Sequence, residues 1–432
     1  MERRREDKQV AVVGLGKIGL ALAAVIAENG FDVIGADINP HVVSLVNEGT
    51  SHVKNEPGLD ELVKKNHQNK RLRATYKTVE AVKDADVIIV IVPVLIDDNH
   101  QTDYRYMDLA VNEIGKSIQK GALVIFETTV PVGDTRNRFG KKIEELSGLV
   151  AGQDFDLAYS PERVYSNRIV EDLANYPKVI GAINEGGLQR TVSFYHKALK
   201  CETMSVSSLE TAEFSKVAEC VYRDVNIALV NELAKFASEK GVLINEVIEA
   251  SNSQPFSHLH KPGIGVGGHC IPIYPFFFIN KGLEKGLTTL AREINDSMSH
   301  YGIGRLEHEL GILTGKNILI LGLSFRENVK EVTKSTALLL MEQLVQKGAN
   351  VFVNDPQFSK EEIARFAVTP LSLSDESVKK IDGVIVQAFH QQYEGLDFAI
   401  FSRCKVVLDG RNVLNKEKIS SLGMKYLGIG IE

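Results

Sequence analysis

The stretch that decides the fold of the first part of the chain is Gln9-Val-Ala-Val-Val13, which runs directly into Gly14-Leu-Gly-Lys-Ile-Gly19. The apolar run suits a buried parallel strand, and helical sequence from Leu20 to Asn29 follows the glycines. A second strand from Asp32 to Ala36 then ends at Asp37. The glycines allow a tight turn and a close approach to a pyrophosphate, which the amino end of the helix would receive. The pattern predicts a dinucleotide-binding domain.

The acidic residue after the second strand predicts which dinucleotide is bound. A carboxylate there accepts a hydrogen bond from the adenosine ribose 2′-hydroxyl and repels a 2′-phosphate, which favours NAD over NADP. Pro93 and Thr129 are expected to contact the cofactor as well, because each follows a predicted buried strand. Ligands of parallel sheets lie beyond the carboxyl ends of the strands. Ordinary strand-ending turns would look similar. The predicted cofactor-binding residues are Gly14, Gly16, Lys17, Ile18, Gly19, Asp37, Pro93 and Thr129.

A second informative stretch is Lys261-Pro-Gly-Ile-Gly-Val-Gly-Gly-His-Cys270, which is followed by Pro272 and Pro275. Glycine lets a backbone take positive φ and approach a ligand closely, while proline fixes the exit path. The stretch therefore indicates a rigid loop presenting one thiol, either as a reactive group or as a small buried side chain. His269 and Cys270 are adjacent and lack the gaps of zinc-binding motifs, so no metal site is expected.

Composition excludes several classes of protein. A chain of 432 residues predicts two or three domains, and a net charge of −6 gives no reason to expect nucleic acid as a partner. Its four cysteines are scattered, which favours a reducing compartment over a disulfide framework. The charged start is not followed by an apolar segment, and no apolar run is long enough to span a bilayer. We therefore expect a cytoplasmic protein without a signal peptide or a membrane partner.

The middle of the chain predicts one long helix, because neither proline nor glycine occurs from Ser208 to Lys240. Ser207 and Glu210 have the spacing of a capping box, and Gly241 supplies the stop. A helix of about 50 Å outspans one small domain, so we expect it to connect domains and to form a dimer seam. Lys216 on this helix is either a partly desolvated cation or a lysine that extends to solvent.

A second α/β unit opens at Lys316-Asn-Ile-Leu-Ile-Leu-Gly-Leu-Ser-Phe325. Its turn lacks the three-glycine spacing, so no second NAD site is expected. Further strands are predicted at Asn350 to Asn354, Gly383 to Gln387 and Lys405 to Leu408. The predicted fold class is α/β, with an N-terminal Rossmann domain (1–200), a central helical domain that carries the cysteine loop (201–305) and a C-terminal Rossmann-like domain (306–432).

Taken together, motifs spread over nearly the whole chain resemble the UDP-glucose/UDP-N-acetylhexosamine 6-dehydrogenase family. The motifs are Gly14-x-Gly-x-x-Gly19, Glu56-Pro-Gly-Leu59, Thr129-Val-Pro131, Ser160-Pro-Glu-Arg163, the helix carrying Lys216, Gly267-Gly-His-Cys270 and Asp409-Gly-Arg411. The resemblance implies two successive NAD-dependent oxidations of a sugar C6 hydroxymethyl group to a uronic acid. The C-terminal domain is expected to bind the UDP-sugar, and the long central helix is expected to join two copies in a homodimer.

The resemblance implies a role for each catalytic residue. The Cys270 thiolate would add to the intermediate aldehyde, giving a thiohemiacetal and then a thioester. Lys216 would stabilise negative charge on oxygen, and Glu162 with Thr129 would hold the hydrolytic water as general base. A surface salt bridge between Glu162 and Arg163 is the alternative interpretation of that pair. The residues expected to bind substrate are Arg163, Lys216, Arg223, His260, Gly267, Arg326 and Arg411.

Three positions depart from the family pattern. Cys220 stands where an asparagine is usual, and Tyr274 stands where an aspartate is usual. In the C-terminal domain, the base that usually follows an acid by two residues comes one place later, in Glu331-Val-Thr-Lys334. The amide and carboxylate groups that would handle the oxyanion and the water are thereby replaced.

The substrate is predicted from His269 and the stretch Tyr222-Arg-Asp-Val-Asn-Ile-Ala228. Both look more like enzymes acting on UDP-N-acetylated hexosamines than like those acting on UDP-glucose. UDP-N-acetylmannosamine is the first choice, and the alternatives are UDP-GlcNAc, UDP-GalNAc and UDP-glucose. The acids made by this branch usually feed surface polysaccharides. The remaining alternatives are a one-step hydroxyacid or 6-phosphogluconate-type dehydrogenase and a NAD-binding regulatory homologue whose chemistry has lapsed.

Overall fold

The computed structural model describes residues 7–282 and 285–431. Most of the charged start, on which the expectation about a signal peptide rests, lies outside these residues. The chain divides into two compact units. The first runs to Glu219 and includes Phe276–Phe278, and the second holds Cys220–Pro275 and the chain from Ile279 onward. Among the described residues, no helix combines the length and the apolar character that crossing a membrane requires.

The first unit is built on an eight-stranded sheet. Its strands and those of a small hairpin are β1 (Gln9–Val13), β2 (Asp32–Ala36), β3 (Leu72–Thr75), β4 (Val87–Val90), β5 (Leu95–Ile96), β6 (Thr102–Asp103), β7 (Leu123–Phe126), β8 (Asp156–Tyr159), β9 (Lys178–Ala182) and β10 (Thr203–Ser205). The sheet order is β10-β9-β8-β7-β4-β1-β2-β3, and β5 pairs with β6 alone. Strands β1, β4, β7 and β8 are almost entirely buried apolar runs, as strands covered on both faces must be.

One pairing in this sheet is antiparallel. Strands β8 and β9 run in opposite directions, with Tyr159 opposite Gly181, whereas the other neighbours in the sheet are parallel. An antiparallel strand begins where its neighbour ends. The start of β9, at Lys178, therefore lies at the same edge as the carboxyl ends of β7 and β8.

Helices cover both faces of the sheet. They are α1 (Lys17–Glu28), α2 (Pro40–Asn47), α3 (Leu59–Gln68), α4 (Thr78–Val82), α5 (Arg105–Ser117), α6 (Lys141–Ser147), α7 (Ile169–Asn175) and α8 (Glu185–Ala198). A π-helical turn at Thr135–Gly140 leads into α6. Helix α1 begins three residues earlier than the sequence indicated, because its first turn is formed by the last residues of the glycine motif itself.

The predicted long helix is α9 (Leu209–Lys240). Its cap differs from the prediction, because the Ser208 hydroxyl oxygen accepts a hydrogen bond from the Thr211 N–H at 3.1 Å. The capping box assigned to Ser207 and Glu210 was wrong by one residue. Glu210 instead forms an ion pair with Arg136 at 2.6 Å. The side chain that the pattern placed in a local cap is therefore recruited by a tertiary contact within the first unit.

The second unit holds the rest of the helical middle and a six-stranded parallel sheet. Its first elements are the end of α9, α10 (Ile244–Asn252) and the two end residues of α11 (Pro275–Ile279), whose three middle residues belong to the first unit. The others are α12 (Leu287–Leu310), β11 (Asn317–Leu321), α13 (Thr336–Gln346), β12 (Asn350–Asn354), α14 (Lys360–Ala364), β13 (Thr369–Pro370), β14 (Gly383–Val386), β15 (Val406–Asp409), α15 (Lys416–Ser421) and β16 (Lys425–Gly428). The order is β13-β12-β11-β14-β15-β16, of which β13 and β16 were not predicted. The α/β fold class is confirmed.

Candidate active site

The three glycines of the first turn are required for three different physical reasons. Gly14 has φ +97°, and an added Cβ would lie 2.9 Å from the Ile91 carbonyl oxygen. A Cβ on Gly19 would lie 2.0 Å from the Gly14 carbonyl oxygen, so no side chain fits where α1 packs against the turn. Gly16 has nothing within 4 Å of an added Cβ. Its backbone is therefore open to a close approach by a ligand.

The amino end of α1 is arranged to receive an anion. Its N-cap is Gly16, which supplies no side-chain hydrogen bond, and no acidic residue lies in the first turn. The positive end of the helix dipole is therefore not neutralised by a capping side chain or by an acid in the first turn. These residues fit the pyrophosphate of a dinucleotide.

A cleft of about 700 Å³ lies beside this turn. The predicted residues Gly14, Gly16, Asp37 and Pro93 line it. Lys17, Ile18 and Gly19 belong to the adjoining first turn of α1, and Thr129 is the third residue after β7, beyond the carboxyl edge of the sheet. The sequence did not indicate the apolar and aromatic wall of the cleft, which includes Ile38, Tyr76, Tyr106 and Leu109. A flat base could lie against such a wall.

Asp37 is held in place by the backbone. Its Oδ2 accepts from the Leu15 N–H at 2.8 Å, and its Oδ1 accepts from the Asn39 N–H at 2.9 Å. The two backbone contacts fix the orientation of the Asp37 side chain where it lines the cleft. An acidic side chain in this position suits a ribose 2′-hydroxyl and disfavours a 2′-phosphate.

Glu162 is buried at the carboxyl edge of the sheet, in the loop after β8. Its Oε1 accepts from the N–H groups of Arg163 and Val164 at 2.6 and 2.9 Å. Burial acts to raise the pKa of Glu162, but the nearby Lys178 and Lys216 ammonium groups and the two N–H donors hold that pKa below its ordinary value. The carboxylate is therefore ionised at neutral pH, as a general base must be.

The surface salt bridge between Glu162 and Arg163, offered as the alternative interpretation, was wrong. Arg163 directs its guanidinium to Glu219 at 3.1 Å and to the Pro177 carbonyl oxygen. Glu162 instead lies 3.5 Å from the Lys178 ammonium. Arg163 thus ties its loop to the start of β9 and to α9.

Sequence analysis missed a buried cluster beside Glu162. The Lys178 ammonium lies 2.7 Å from Glu127 Oε2, and the Tyr195 hydroxyl donates to Glu127 Oε1 at 2.5 Å. Glu127 was not predicted as a site residue, although it directly follows the buried strand β7. An acidic residue at such a position can indicate a functional site. Lys178 and Tyr195 gave no signal, since their roles depend on the antiparallel placement of β9.

Lys216 is buried on the part of α9 that belongs to the first unit, which excludes the extension to solvent. One turn earlier, Glu213 accepts from the N–H groups of Gly133 and Thr135 at 2.5 and 2.8 Å. This contact fixes the start of α9 against the loop after β7. Lys216 is thereby positioned as a desolvated cation that acts on the Glu162 carboxylate.

The cysteine loop in the second unit is held by its backbone. Ile264 N–H donates to the Gly410 carbonyl oxygen and Gly268 N–H to the Thr333 carbonyl oxygen, both at 2.9 Å. An added Cβ on Gly267 would lie 2.7 Å from Cβ of Phe325. The glycines are therefore needed for close packing against the C-terminal sheet as well as for the turn. Cys270, which follows these glycines and His269, is partly exposed.

Arg411 braces the same loop. Its guanidinium donates to the Gly265 carbonyl oxygen at 3.1 Å and to Gln387 Oε1 at 2.6 Å. His269 lies with Nδ1 2.9 Å from Glu331 Oε1. The structure therefore places one predicted substrate-binding arginine in contact with the loop that presents the thiol.

The other predicted substrate-binding residues of the second unit lie at separate elements. The Tyr222 ring packs edge-on against His260 at 6.1 Å between centroids, and His260 Nε2 is buried with no hydrogen-bond partner among the described residues. Arg223 lies near Cys220, with Nη2 3.9 Å from Sγ. Arg326 stacks over the Phe325 ring at 5.9 Å. His260 therefore offers a buried nitrogen that a ligand could satisfy.

The turn after β11 in the C-terminal sheet resembles the glycine turn after β1, but its acidic residue has different partners. Gly322 has φ +96°, close to the value at Gly14, and Asp355 follows β12 as Asp37 follows β2. Asp355 Oδ2 accepts from the N–H groups of Leu323 and Ser324 and also lies 3.0 Å from His390 Nε2. The carboxylate oxygen that faces the turn is thus fully occupied by protein groups.

Comparison with known proteins gives the family. Residues 8–199 match the NAD binding domain of the UDP-glucose/GDP-mannose dehydrogenase family, residues 210–297 its central domain and residues 319–416 its UDP binding domain. The chain belongs to this family. The three domains match in the expected order, which confirms the predicted family. The predictions of an NAD-dependent oxidoreductase and of NAD as its cofactor are confirmed with it.

Individual relatives cover nearly the whole chain. The UDP-N-acetyl-D-mannosamine dehydrogenase of Pyrococcus horikoshii is 33% identical over 98% of this chain and 99% of its own. An NDP-N-acetyl-D-galactosaminuronic acid dehydrogenase of Ralstonia nicotianae is 32% identical over 96% of this chain and 98% of its own. The solved UDP-glucose dehydrogenase of Pyrobaculum islandicum is 29% identical, covers all of both chains and has a TM-score of 0.88. The chain is thus similar to enzymes with different sugar substrates.

Proposed function

We propose that this enzyme oxidises the C6 hydroxymethyl group of a UDP-N-acetylhexosamine to the uronic acid in two NAD-dependent steps, with UDP-N-acetylmannosamine as the first choice. The observation that carries the proposal is the single partly exposed thiol of Cys270, presented by a braced glycine loop in a chain that also buries an ionised Glu162. A one-step alcohol dehydrogenase needs neither group. The names of the mannosamine and galactosamine relatives support an acetylated amino sugar over glucose. An acid of this kind would serve polysaccharide biosynthesis.

Cys270 is the proposed nucleophile. When bound in the cleft beside Gly16 and Asp37, NAD supplies the hydride acceptor for both oxidations. The alcohol carries a transferable hydride, but the aldehyde does so only after addition of a nucleophile. The Cys270 thiolate adds to the aldehyde carbon, giving a thiohemiacetal; loss of hydride and a proton leaves a thioester. Water then cleaves the C–S bond and releases the thiol and the carboxylate.

Three residues of the first unit are proposed to assist. Lys216, a buried cation, stabilises the alkoxide or oxyanion charge as it forms on C6 oxygen. Glu162 removes a proton from the hydrolytic water, and the Thr129 hydroxyl helps to hold that water. The proposed substrate contacts are Arg163, Lys216, Arg223, His260, Gly267, Arg326 and Arg411. The proposed domain division is 1–200, 201–305 and 306–432, with the UDP-sugar bound by the last.

The amount of NADH formed per sugar tests this function. Purified enzyme is given NAD in excess and a limiting amount of UDP-ManNAc, UDP-GlcNAc, UDP-GalNAc or UDP-glucose in turn. We expect two NADH per UDP-ManNAc and a uronic acid by mass spectrometry. One NADH per sugar would indicate a single-step dehydrogenase, and none with the whole panel would indicate a regulatory homologue. Two NADH with UDP-glucose alone would overturn the choice of an acetylated amino sugar.

We further propose that the enzyme is a homodimer joined through α9 and α12. Tyr222, Leu229 and Phe236 are seven residues apart on α9 and are 53%, 46% and 59% exposed. Leu287 and Leu290 on α12 are exposed as well, and Lys235 on α9 contacts Ser297 on α12 at 3.4 Å. A stripe of large apolar side chains at heptad spacing is typical of a helix that packs against a partner.

Replacing the middle residue of the stripe tests the dimer. Leu229→Glu should place a buried charge in the interface and shift the protein from dimer to monomer, by sedimentation or light scattering. Leu339→Glu is the control, since Leu339 is a similarly exposed leucine on α13 in the same unit. A Leu229→Glu protein that sediments like the parent, or a Leu339→Glu protein that dissociates, would contradict this interface.

We also propose a cytoplasmic location, which the small number of scattered cysteines supports. Fractionation of the producing cell should place the enzyme with cytoplasmic markers. Recovery with membranes or outside the cell would contradict the proposal.

A further inference from the structure

The buried cluster beside Glu162 contains two carboxylates and one ammonium. Glu127 and Lys178 are almost fully buried, and Glu162 is nearly so. The Lys178 ammonium lies 2.7 Å from Glu127 and 3.5 Å from Glu162, and burying two carboxylates side by side is costly in a medium of low polarity. The cluster therefore favours binding a proton, and the question is which carboxylate takes it.

The hydrogen-bond partners of the two carboxylates decide the question. Glu162 Oε1 accepts from two backbone N–H groups, which can only donate and therefore stabilise the anion. Glu127 Oε1 instead meets the Tyr195 hydroxyl, which can donate to an anion or accept from a protonated acid. Glu127 is thus built to tolerate both protonation states, whereas Glu162 is built to remain ionised.

The charges around the cluster agree with this division. Burial and the neighbouring Glu162 raise the pKa of Glu127 to about 7, although Lys178 opposes the rise. Burial opposes the charge of Lys178, but Glu127 and Glu162 together hold its pKa above the ordinary value. The other titratable groups facing the cluster are Tyr195 on α8, Cys201 before β10 and Lys216 on α9.

We propose that Lys178 and Glu127 are positioning residues that act through Glu162. Lys178 keeps the Glu162 carboxylate ionised, and Glu127, which also contacts the Lys178 ammonium, takes up the proton that the cluster binds. Glu162 is thereby reserved for the water that cleaves the thioester. This inference rests on the proposed function of Glu162 as a general base. In it, Lys178 and Glu127, which are far apart in the sequence, control the protonation of that base.

The proposal predicts different responses from two nearly isosteric changes. Lys178→Met removes the cation, so the pKa of Glu162 should rise by about one unit or more. Glu127→Gln should remove the titration of Glu127 at about pH 7 and leave the pKa of Glu162 in place, because Glu127 is already protonated at the pH where Glu162 titrates. Lys178→Arg should restore the parental value. A purely structural role of the cluster would lower stability in both variants and leave the pKa of Glu162 the same in both.

Titration of the full-length protein labelled with carboxyl-¹³C glutamate measures these shifts without any turnover. The resonance that disappears in Glu162→Gln identifies Glu162. The acid limb of kcat, where UDP-sugar is turned over, should move in the same directions. If none of the sugars in the panel gave NADH, the proposed function would be rejected. The titration would still test the roles of Lys178 and Glu127, because it needs no substrate.

Arg190→Met provides the matched control for loss of a buried cation. Arg190 pairs with Asp156 at 3.0 Å and Asp7 at 2.7 Å at the opposite edge of the same sheet. We expect this variant to lose stability and to leave the Glu162 titration in place. No rise in the pKa of Glu162 in Lys178→Met, an equal rise in Glu127→Gln, or an equal rise in Arg190→Met would overturn the proposal.

Discussion

Cys270→Ser is expected to abolish formation of the uronic acid, with a loss of complete turnover of about a thousandfold or more. The first oxidation should remain measurable, because the starting alcohol already carries a transferable hydride. The second requires an adduct at the aldehyde carbon, and a serine hydroxyl is a poor nucleophile without an adjacent base. NADH per sugar should fall from two to at most one, and mass spectrometry should detect the aldehyde or its hydrate.

The other cysteines are controls for this result. Cys201, Cys220 and Cys404 are all buried, and none lies in a glycine-rich loop. Changing each to serine should preserve two NADH per sugar. Cys220 is the most demanding control, since it lies one helical turn after Lys216. Should Cys220→Ser abolish the product while Cys270→Ser still forms two NADH, the nucleophile is the other thiol.

Glu162→Gln is expected to stop the reaction after both hydrides have been transferred. The glutamine carbonyl can still accept from the backbone N–H groups of Arg163 and Val164, but it cannot take a proton from water. Steady-state turnover should fall by about 10²- to 10⁴-fold. A burst of NADH followed by a stall, with an acyl adduct on Cys270 in the intact-mass spectrum, is the expected observation.

The adduct distinguishes a general base from a residue that only supports the loop. Glu171→Gln, an exposed change in the same domain, should turn over at the parental rate without an adduct. If Glu162→Gln also turned over normally and carried no adduct, hydrolysis would have another base. If it lost all activity with no burst, Glu162 would be needed before the thioester forms.

Local patterns in the sequence were sufficient for the parts of the site made from consecutive residues. Gly14, Gly16 and Gly19 act within one turn, so their spacing alone specifies the strand, the turn and the start of α1. The glycine loop before Cys270 was predicted in the same way, because its glycines are needed for close packing, whereas the role of Cys270 stays a prediction. Strand ends were predicted to within a residue or two, where hydrogen bonding ends gradually.

The parts that failed depend on which strands become neighbours. Glu127 and Lys178 are 51 residues apart, and they meet only because β9 runs antiparallel to β8. Alternating strands and helices indicate parallel order, and nothing in the sequence of β9 shows that it is reversed. The cap of α9 failed for a related reason: Glu210 is drawn to Arg136, a partner 74 residues away.

The occupied carboxylate of the C-terminal sheet has a consequence for the order of events in one turnover. Asp355 is committed to Leu323, Ser324 and His390, so that sheet does not offer an acid to a second dinucleotide. In the proposed two-step oxidation, both hydrides would therefore leave through the N-terminal cleft, one after the other. Reduced cofactor would have to be exchanged for oxidised cofactor while the half-oxidised sugar stays in place. The proposed covalent bond to Cys270 would hold the sugar during that exchange, and the rate of cofactor exchange would then limit the whole cycle separately from the chemistry.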